Sequence, residues 1–462
     1  MVAARPLFRI VVVGMTILVG SRMAHAADRF VAPTGTDTAN DCLATASPCR
    51  TIQSAANAAA SGDTIKIAKG HYAGPVTISP STAIVLALSG GWSTDFAARD
   101  VEHDKTAVRA GPEVGPTFVV LAGSGGMVDV TFDGLTFTAG SAGAIAVVSS
   151  GDGSVALGVS DCVFRGNKST VGYYGGALSV YALDASTIEL TVADSTFQSN
   201  KSVRSRFGGI GGPGGAITAT GFQTSTVTVA VSRSQFLRNS TVASMGGGAI
   251  AAIAASSSTY DLTIDDSTFV GNTARHGNGG AIAALSSSSA AVALKLRNDL
   301  LAGNKATHGA AGGFYLAAGA GPATTLAITN CSVTDNTALD TGAGVYLNIT
   351  PSTVLTNAII WGNRSQQEAY LAGDDVAMAN SSVDIDHSDI GHLFRNGGTL
   401  NDLGGNIDAD PLLVRPPKDL HLRAGSPCID VGTCAGAPTT DFEGDPRPSG
   451  ASCDIGADEF VP

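Results

Sequence analysis

Three polar residues recur at a single register. Four residues after successive asparagines stand Val171, Arg204, Ala243, His276, His308 and Asp340. The last three occur as Arg275-His276-Gly277, Thr307-His308-Gly309 and Asp340-Thr341-Gly342. Two imidazoles and a carboxylate held side by side can pass a proton or share a metal ion, which would suit a hydrolase. A polar loop edge in which His happened twice gives the same pattern. The second set is cationic. Arg204 and Arg206 lie in a glycine-rich insertion that starts after Lys201, Arg238 ends that unit, and Lys168 begins the one before. Guanidinium groups match carboxylate geometry, so this cluster would grip a carboxylated or sulfated sugar, with Tyr173 and Tyr174 stacking on its rings. In a lyase, Arg204, Arg206 or Arg238 would remove the proton beside a uronate carboxylate while another cation neutralised the acid. A solvated loop whose charges aid solubility explains the same residues.

These residues owe their register to one repeated phrase. Its clearest copy is Ser267-Thr268-Phe269-Val270-Gly271-Asn272, followed by Gly279-Gly280-Ala281-Ile282. It recurs as Phe164…Asn167 with Gly175-Gly176-Ala177-Leu178, as Phe197…Asn200 with Gly214-Gly215-Ala216-Ile217, and as Phe236…Asn239 with Gly247-Gly248-Ala249-Ile250. Looser copies end at Asn304, Asn336 and Asn363, so the asparagines step by 33, 39, 33, 32, 32 and 27 residues. Self-similarity at that period implies a solenoid, because one unit cannot bury its apolar face without neighbours. Between the landmarks, Thr187-Ile188-Glu189-Leu190-Thr191-Val192 and Thr226-Val227-Thr228-Val229-Ala230-Val231 alternate apolar and polar residues. That is the period of half-buried strands, which excludes helical repeats of similar length. The expected fold is all-β, a parallel β-helix whose coils stack about 4.8 Å apart. The Phe should point into the core, the Asn should close a turn and bond along its column, and the Gly pair should permit a bend.

The Phe-x-x-Asn and Gly-Gly-Ala-Ile alternation over roughly residues 130–365 resembles the repeat of polymorphic outer-membrane proteins. It is also similar to the wider right-handed β-helix superfamily that includes pectate lyases. The resemblance implies a single-stranded right-handed parallel β-helix, but that superfamily holds lyases, hydrolases, epimerases and adhesins alike. No paired Asp-Asp is followed by a Gly-His-Gly, as in polygalacturonases, and the Asp-Pro-His-Asp of alginate epimerases is absent, as are Gly-x-Ser-x-Gly and His-Glu-x-x-His.

Residues 1–26 read as an export signal, with Arg5 and Arg9 before the apolar run Ile10 to Gly20 and Ala24-His25-Ala26 as cleavage site. Residues 27–130 read as an N-terminal cap with the first coils, 131–400 as repeats, and 401–462 as a C-terminal cap. Cys42 and Cys49, close together in an exported chain, are expected to form a disulfide, and Thr51 to Ala60 a short helix over the open end. Trp92 reads as a packing residue rather than a sugar platform. The closing run Asp441-Phe442-Glu443-Gly444-Asp445-Pro446-Arg447-Pro448 with Cys453-Asp454-Ile455-Gly456-Ala457-Asp458-Glu459 resembles the choice-of-anchor Q domain. There Arg447 should pair with carboxylates, and Cys434 with Cys453 is the preferred second disulfide, which leaves Cys428 open. Cys162 and Cys331 stand at equivalent positions too far apart to join, and read as buried thiols. The closing acids could bind a cation such as calcium, but their spacing is not that of an EF-hand loop, and no cofactor is expected.

The chain carries a net charge of −12, and only 14% of its residues are charged while 58 are glycine. An acidic chain with no basic run excludes a nucleic-acid partner. The expectation is an exported, monomeric protein, periplasmic, secreted or at a bacterial surface, that binds a polysaccharide or cell-surface glycan. Lyase-like action on an acidic glycan, a non-catalytic adhesin and a glycoside hydrolase are the three variants.

Overall fold

The computed structural model describes residues 26–111, 115–170, 175–203, 213–244, 246–287, 289–319, 324–348, 352–366 and 375–462. One coil shows the plan. Its four strands are Ile250–Ala254, Thr259–Asp265, Thr268–Val270 and Thr273–Ala274. The next coil repeats them as Ile282–Ser286, Ala291–Arg297, Leu300–Ala302 and Lys305–Ala306. Each pairs in parallel with its equivalent, Ile250 with Ile282, Leu262 with Leu294, Phe269 with Leu301 and Thr273 with Lys305. Third strands make an 11-stranded sheet and fourth strands a 7-stranded one. First and second strands merge into a 22-stranded sheet, because Val376–Asp386 runs through the corner and pairs with both columns. The fold is a parallel β-helix.

Local sequence explains each part of the coil. In Thr259–Asp265, Tyr260, Leu262 and Ile264 are buried while Thr259 and Asp261 face water, as period-2 alternation requires. The corners are single residues in the left-handed region. Asp266, Asn298 and Asn330 sit there at φ 51, 54 and 49 between second and third strands, and Gly271 at φ 67 between third and fourth. Asn, Asp and Gly tolerate that conformation best. The Gly pair serves close approach as well as a bend: Gly279 sits at φ 69, and a Cβ on Gly248 would strike the Gly280 carbonyl oxygen of the next coil.

Two columns run inside this frame. The rings of Phe137, Phe164, Phe197, Phe236 and Phe269 stack face to face at 4.5 to 4.8 Å, all fully buried. The second column is a ladder of buried asparagines. Asn239 Nδ2 donates to the Phe197 carbonyl at 2.8 Å and to Asn272 Oδ1 at 3.0 Å, while its backbone N–H donates to the same Oδ1 at 2.9 Å. The pattern holds for Asn167, Asn200, Asn272, Asn304 and Asn336. It ends at Asn363, where Asp375 Oδ1 accepts both bonds at 2.8 Å.

A third column holds Cys162, Ser195, Ser234, Ser267, Asp299 and Cys331. The Ser195 hydroxyl accepts from the Cys162 N–H, Ser234 from Ser195, Ser267 from Ser234, and Asp299 Oδ1 from the Ser267 N–H at 2.9 Å. Asp299 is fully buried, its Oδ2 has no protein partner, and burial drives its carboxyl well above the usual range. Cys162 and Cys331 are buried free thiols.

The ends differ. The helix Ile52–Ala58, with the Thr51 hydroxyl accepting from the Ser54 N–H at its start, sends Ile52 and Ala55 into the common core. Cys42 and Cys49 are disulfide-bonded nearby. Trp92 is half-buried, packs beside Phe30 and Phe96, and has the Lys66 ammonium 4.5 Å from its ring. At the other end, the closing segment turns back and lies along the flank of the solenoid, not over its last coil. Leu413, Leu420, Leu422, Ile455 and Ala457 pack on Leu300, Ala302 and Ile359 of the third strands. Asn330 and Asn357 donate to the Gly456 and Thr433 carbonyls. Inside the segment Cys434 is bonded to Cys453, and buried Arg447 pairs with Glu459 at 3.3 Å. Cys428 stays a buried thiol, donating to Asp389 Oδ2 at 3.4 Å, and burial pushes that carboxyl up to about 7. His421 bridges Asp419 at 2.6 Å and Glu443 at 2.9 Å; burial opposes its charge, but the two carboxylates prevail and hold the ring at about 9.

Two predictions follow from the columns. Asn239→Ala deletes the acceptor of two Asn200 donors in a dry column, and should cost about 2–5 kcal/mol of stability, read by denaturant unfolding. Asp299 binds its proton more tightly folded than unfolded, so it lowers stability as pH rises above about 3.9 towards its folded value. Asp299→Asn, which keeps the acceptor for Ser267, should therefore raise the melting temperature at pH 8 and gain little at pH 4. An equal gain at both pH values would contradict this.

Candidate functional site

First strands alternate between the core and the outside. Register places Ala283, Tyr315, Tyr346, Ala377 and Phe394 in one outward column. Earlier coils carry Ser179, Thr218 and Ala251 there, small residues that the adjoining loop buries. Where the column turns aromatic, a groove of about 380 Å³ opens. Its walls include Tyr315, Tyr346, Ala377 and Phe394 from the strands, Asn278, Asp340 and Thr341 from the loops, and Asn396 from the last coil. The tyrosine rings stack 5.3 Å apart and 5° from parallel. Ala377 then leaves a gap between Tyr346 and Phe394, which stand two ladder steps, about 9.6 Å, apart. A ring held between two aromatic faces needs roughly 7–8 Å, twice a carbon contact distance of about 3.5–4.0 Å, so the gap has the width for one ring.

The polar groups around the groove are held in place. Asn278 Oδ1 accepts from the Ala310 N–H at 2.8 Å, and the Asp340 N–H donates to the Gly309 carbonyl at 3.2 Å. Burial, with the neighbouring Tyr346, keeps the Tyr315 hydroxyl above its usual range, so it is a neutral donor and acceptor at physiological pH. Asp340 is the one ionisable group other than the tyrosines among the described lining residues.

The histidines lie beside this groove and do not line it. His276 and His308 are exposed, with ring centroids 5.0 Å apart and planes tilted 37°. The Nδ1 of His308 is 2.5 Å from the Arg275 carbonyl, which can only accept, so Nδ1 carries the proton and Nε2 is left as the basic nitrogen. The stacking thus brings the two imidazoles together and turns Asp340 towards the tyrosines. Among the described residues, no three His, Cys, Asp or Glu side chains are grouped to hold a metal ion.

Three of the basic candidates lie among the described residues. Lys168 and Lys201 are register neighbours on fourth strands, followed in that column by Ser240, Thr273, Lys305 and Thr337. Lys201 is therefore about 19 Å of ladder from the coil that carries Asp340. Arg238 is exposed at a corner with φ 54, the place held by Gly271 one coil on. Arg204, Arg206, Tyr173 and Tyr174 lie outside the described residues. Sequence reasoning missed Tyr315 and Tyr346, although Phe314-Tyr315-Leu316 and Val345-Tyr346-Leu347 stand 31 residues apart where other copies have Ala, Ser or Thr.

Comparison with known proteins returns no match among curated proteins. Among solved structures the chain is similar to pectate lyase Pel9A, at 13% identity and a TM-score of 0.41, over 94% of this chain and 96% of that one. It is also similar to XylC in complex with xylose, at 9% identity and a TM-score of 0.37, over 93% and 98%. Among the described residues no helix is long and apolar enough to cross a membrane. Residues 216–390 match the family described as right handed beta helix region, and the chain is a right-handed parallel β-helix.

Proposed function

We propose that this is an exported glycan-binding protein whose groove beside Tyr315 and Tyr346 takes a short segment of a neutral polysaccharide. The stacked tyrosine pair carries this reading: two parallel aromatic faces at a concave wall, ringed by amide, hydroxyl and carboxylate groups, match the apolar faces and hydroxyl edges of a sugar. The lining favours a neutral sugar over an acidic one. A uronate would need a cation to meet its carboxylate, and among the described lining residues the only charged group is Asp340. Lyase action would fall instead to Arg204, Arg206 and Arg238, with Lys168 and Lys201 binding the substrate, and hydrolysis to His276 and His308 with Asp340. The groove geometry favours binding without turnover, as in an adhesin or envelope protein.

The organisation proposed with it has residues 1–26 as the export segment, 27–130 as entry cap and first coils, 131–400 as repeats akin to those of polymorphic outer-membrane proteins, and 401–462 as a choice-of-anchor Q-like closure. Two disulfides suit an oxidising compartment.

Calorimetric titration with neutral, uronate and sulfated oligosaccharides tests the reading, with ultraviolet absorbance followed for unsaturated ends. A neutral oligosaccharide should bind, and Tyr346→Ala should weaken it by about tenfold or more with little change in melting temperature. Binding that Tyr346→Ala leaves intact, or binding of uronates alone with growing absorbance, would overturn it.

A further inference from the structure

We propose that the last coil is a self-association surface, on which a second copy of this chain docks end to end by antiparallel strand pairing. The terminal strand Leu393–Gly404 pairs with Val376–Asp386 on one edge, and among the described residues no strand pairs with its other edge. The closing segment does not cover it, since that segment lies back along the third strands. An open parallel-sheet edge presents a row of unpaired N–H and C=O groups. The strand's own sequence selects the occupant.

Gly397 and Gly398, both at φ 81, turn the strand through the corner and divide it into two arms. A two-fold axis next to this corner lays the first arm of one copy antiparallel to the second arm of the other. In the register centred between Gly398 and Thr399, Arg395 faces Asp402 of the second copy, Asn396 faces Asn401, and Phe394 faces Leu403. Each facing pair is matched in charge or polarity, and the two-fold makes each pair twice. Arg395 and Asp402 follow the buried Met378 and Ile385 in register, so both stand at core-facing positions over the solenoid's open end. There they blunt pairing with unrelated strands and complement each other in charge, Asp402 accepting within its own chain from the Gly404 N–H at 2.9 Å and Asn406 Nδ2 at 2.6 Å through one oxygen, Oδ1. Leu403 is 58% exposed in the single chain and gains Phe394 as an apolar neighbour in the pair. Because Phe394 also lines the groove, the second copy would wall its outer end.

Sedimentation velocity and small-angle scattering on the purified protein, from micromolar to submillimolar concentration, test this. The expected result is a concentration-dependent dimer whose length is near twice that of one solenoid. Arg395→Asp sets two acids face to face and should weaken the dimer about tenfold or more. Arg395→Asp with Asp402→Arg should restore it. Leu403→Asp, which disturbs no bond within the chain's own coil, should also weaken it. A monomer throughout, a dimer that neither single variant weakens, or a charge swap that fails to restore pairing in a folded protein would overturn the proposal. Glycan binding is measured separately, so failure of the groove reading and failure of the dimer are distinguishable.

Discussion

The asparagine ladder is the constraint on which the rest of the molecule depends. A coil corner exposes backbone groups that the sheet cannot pair, and in this position they are buried, where each orphan costs about 1–3 kcal/mol. One Asn per coil resolves this by donating to the Phe carbonyl of the coil before and to the Asn of the coil after, while its own Oδ1 accepts from the Asn of the coil before. The bond works only if every coil repeats at the same spacing. The ladder therefore fixes the register of the third and fourth strands, and with it the stacking of the phenylalanines behind them. Asp375 replaces Asn at the far end because an acceptor is still needed there, while no further Asn follows. Burial raises its carboxyl, and the bonds from Asn363 and the His392 N–H pull the other way.

Once register is fixed, the outside of the solenoid is a set of columns, and each surface is decided by what one position carries along several coils. The third strands show this best. One outward column runs Arg165, Gln198, Leu237, Val270, Ala302, Thr334 and Trp361, and the other Val163, Thr196, Gln235, Thr268, Leu300, Ser332 and Ile359, each more apolar in its later coils. The apolar half is where the closing segment lies, held by its disulfide, by Arg447 with Glu459, and by His421 between two carboxylates. The groove follows the same rule. Small residues in the outward column of the first strands let the loops close over them, and tyrosines hold the loops apart.

Much of this is legible in the chain itself. Thr226 to Val231 alternates, Phe236 and Asn239 recur in phase with Phe269 and Asn272, and the strands, core face and parallel stacking follow, because side-chain alternation and ladder spacing are local consequences of a repeat. Both disulfides were also legible, each from cysteines close in sequence at a chain end. The loss of alternation in Leu300-Leu301-Ala302 and Ile359-Ile360-Trp361 is a sequence signal as well, marking strands buried on both faces, yet it does not say what buries them.

The sequence by itself determined the solenoid, its approximate period and the residues that hold one coil to the next, since those interactions join equivalent positions of successive copies of one repeated phrase. Tertiary structure alone decided which outward columns are covered and which remain open. Asp340 is counted with His276 and His308 along the chain, but the loop turns it to Tyr315 and Tyr346, whose place is set by strand register rather than loop register. The closing segment lies on a flank whose contacts span more than a hundred residues, as Asn330 with Gly456 shows. No repeat period encodes such contacts, because they depend on how two surfaces fit in space.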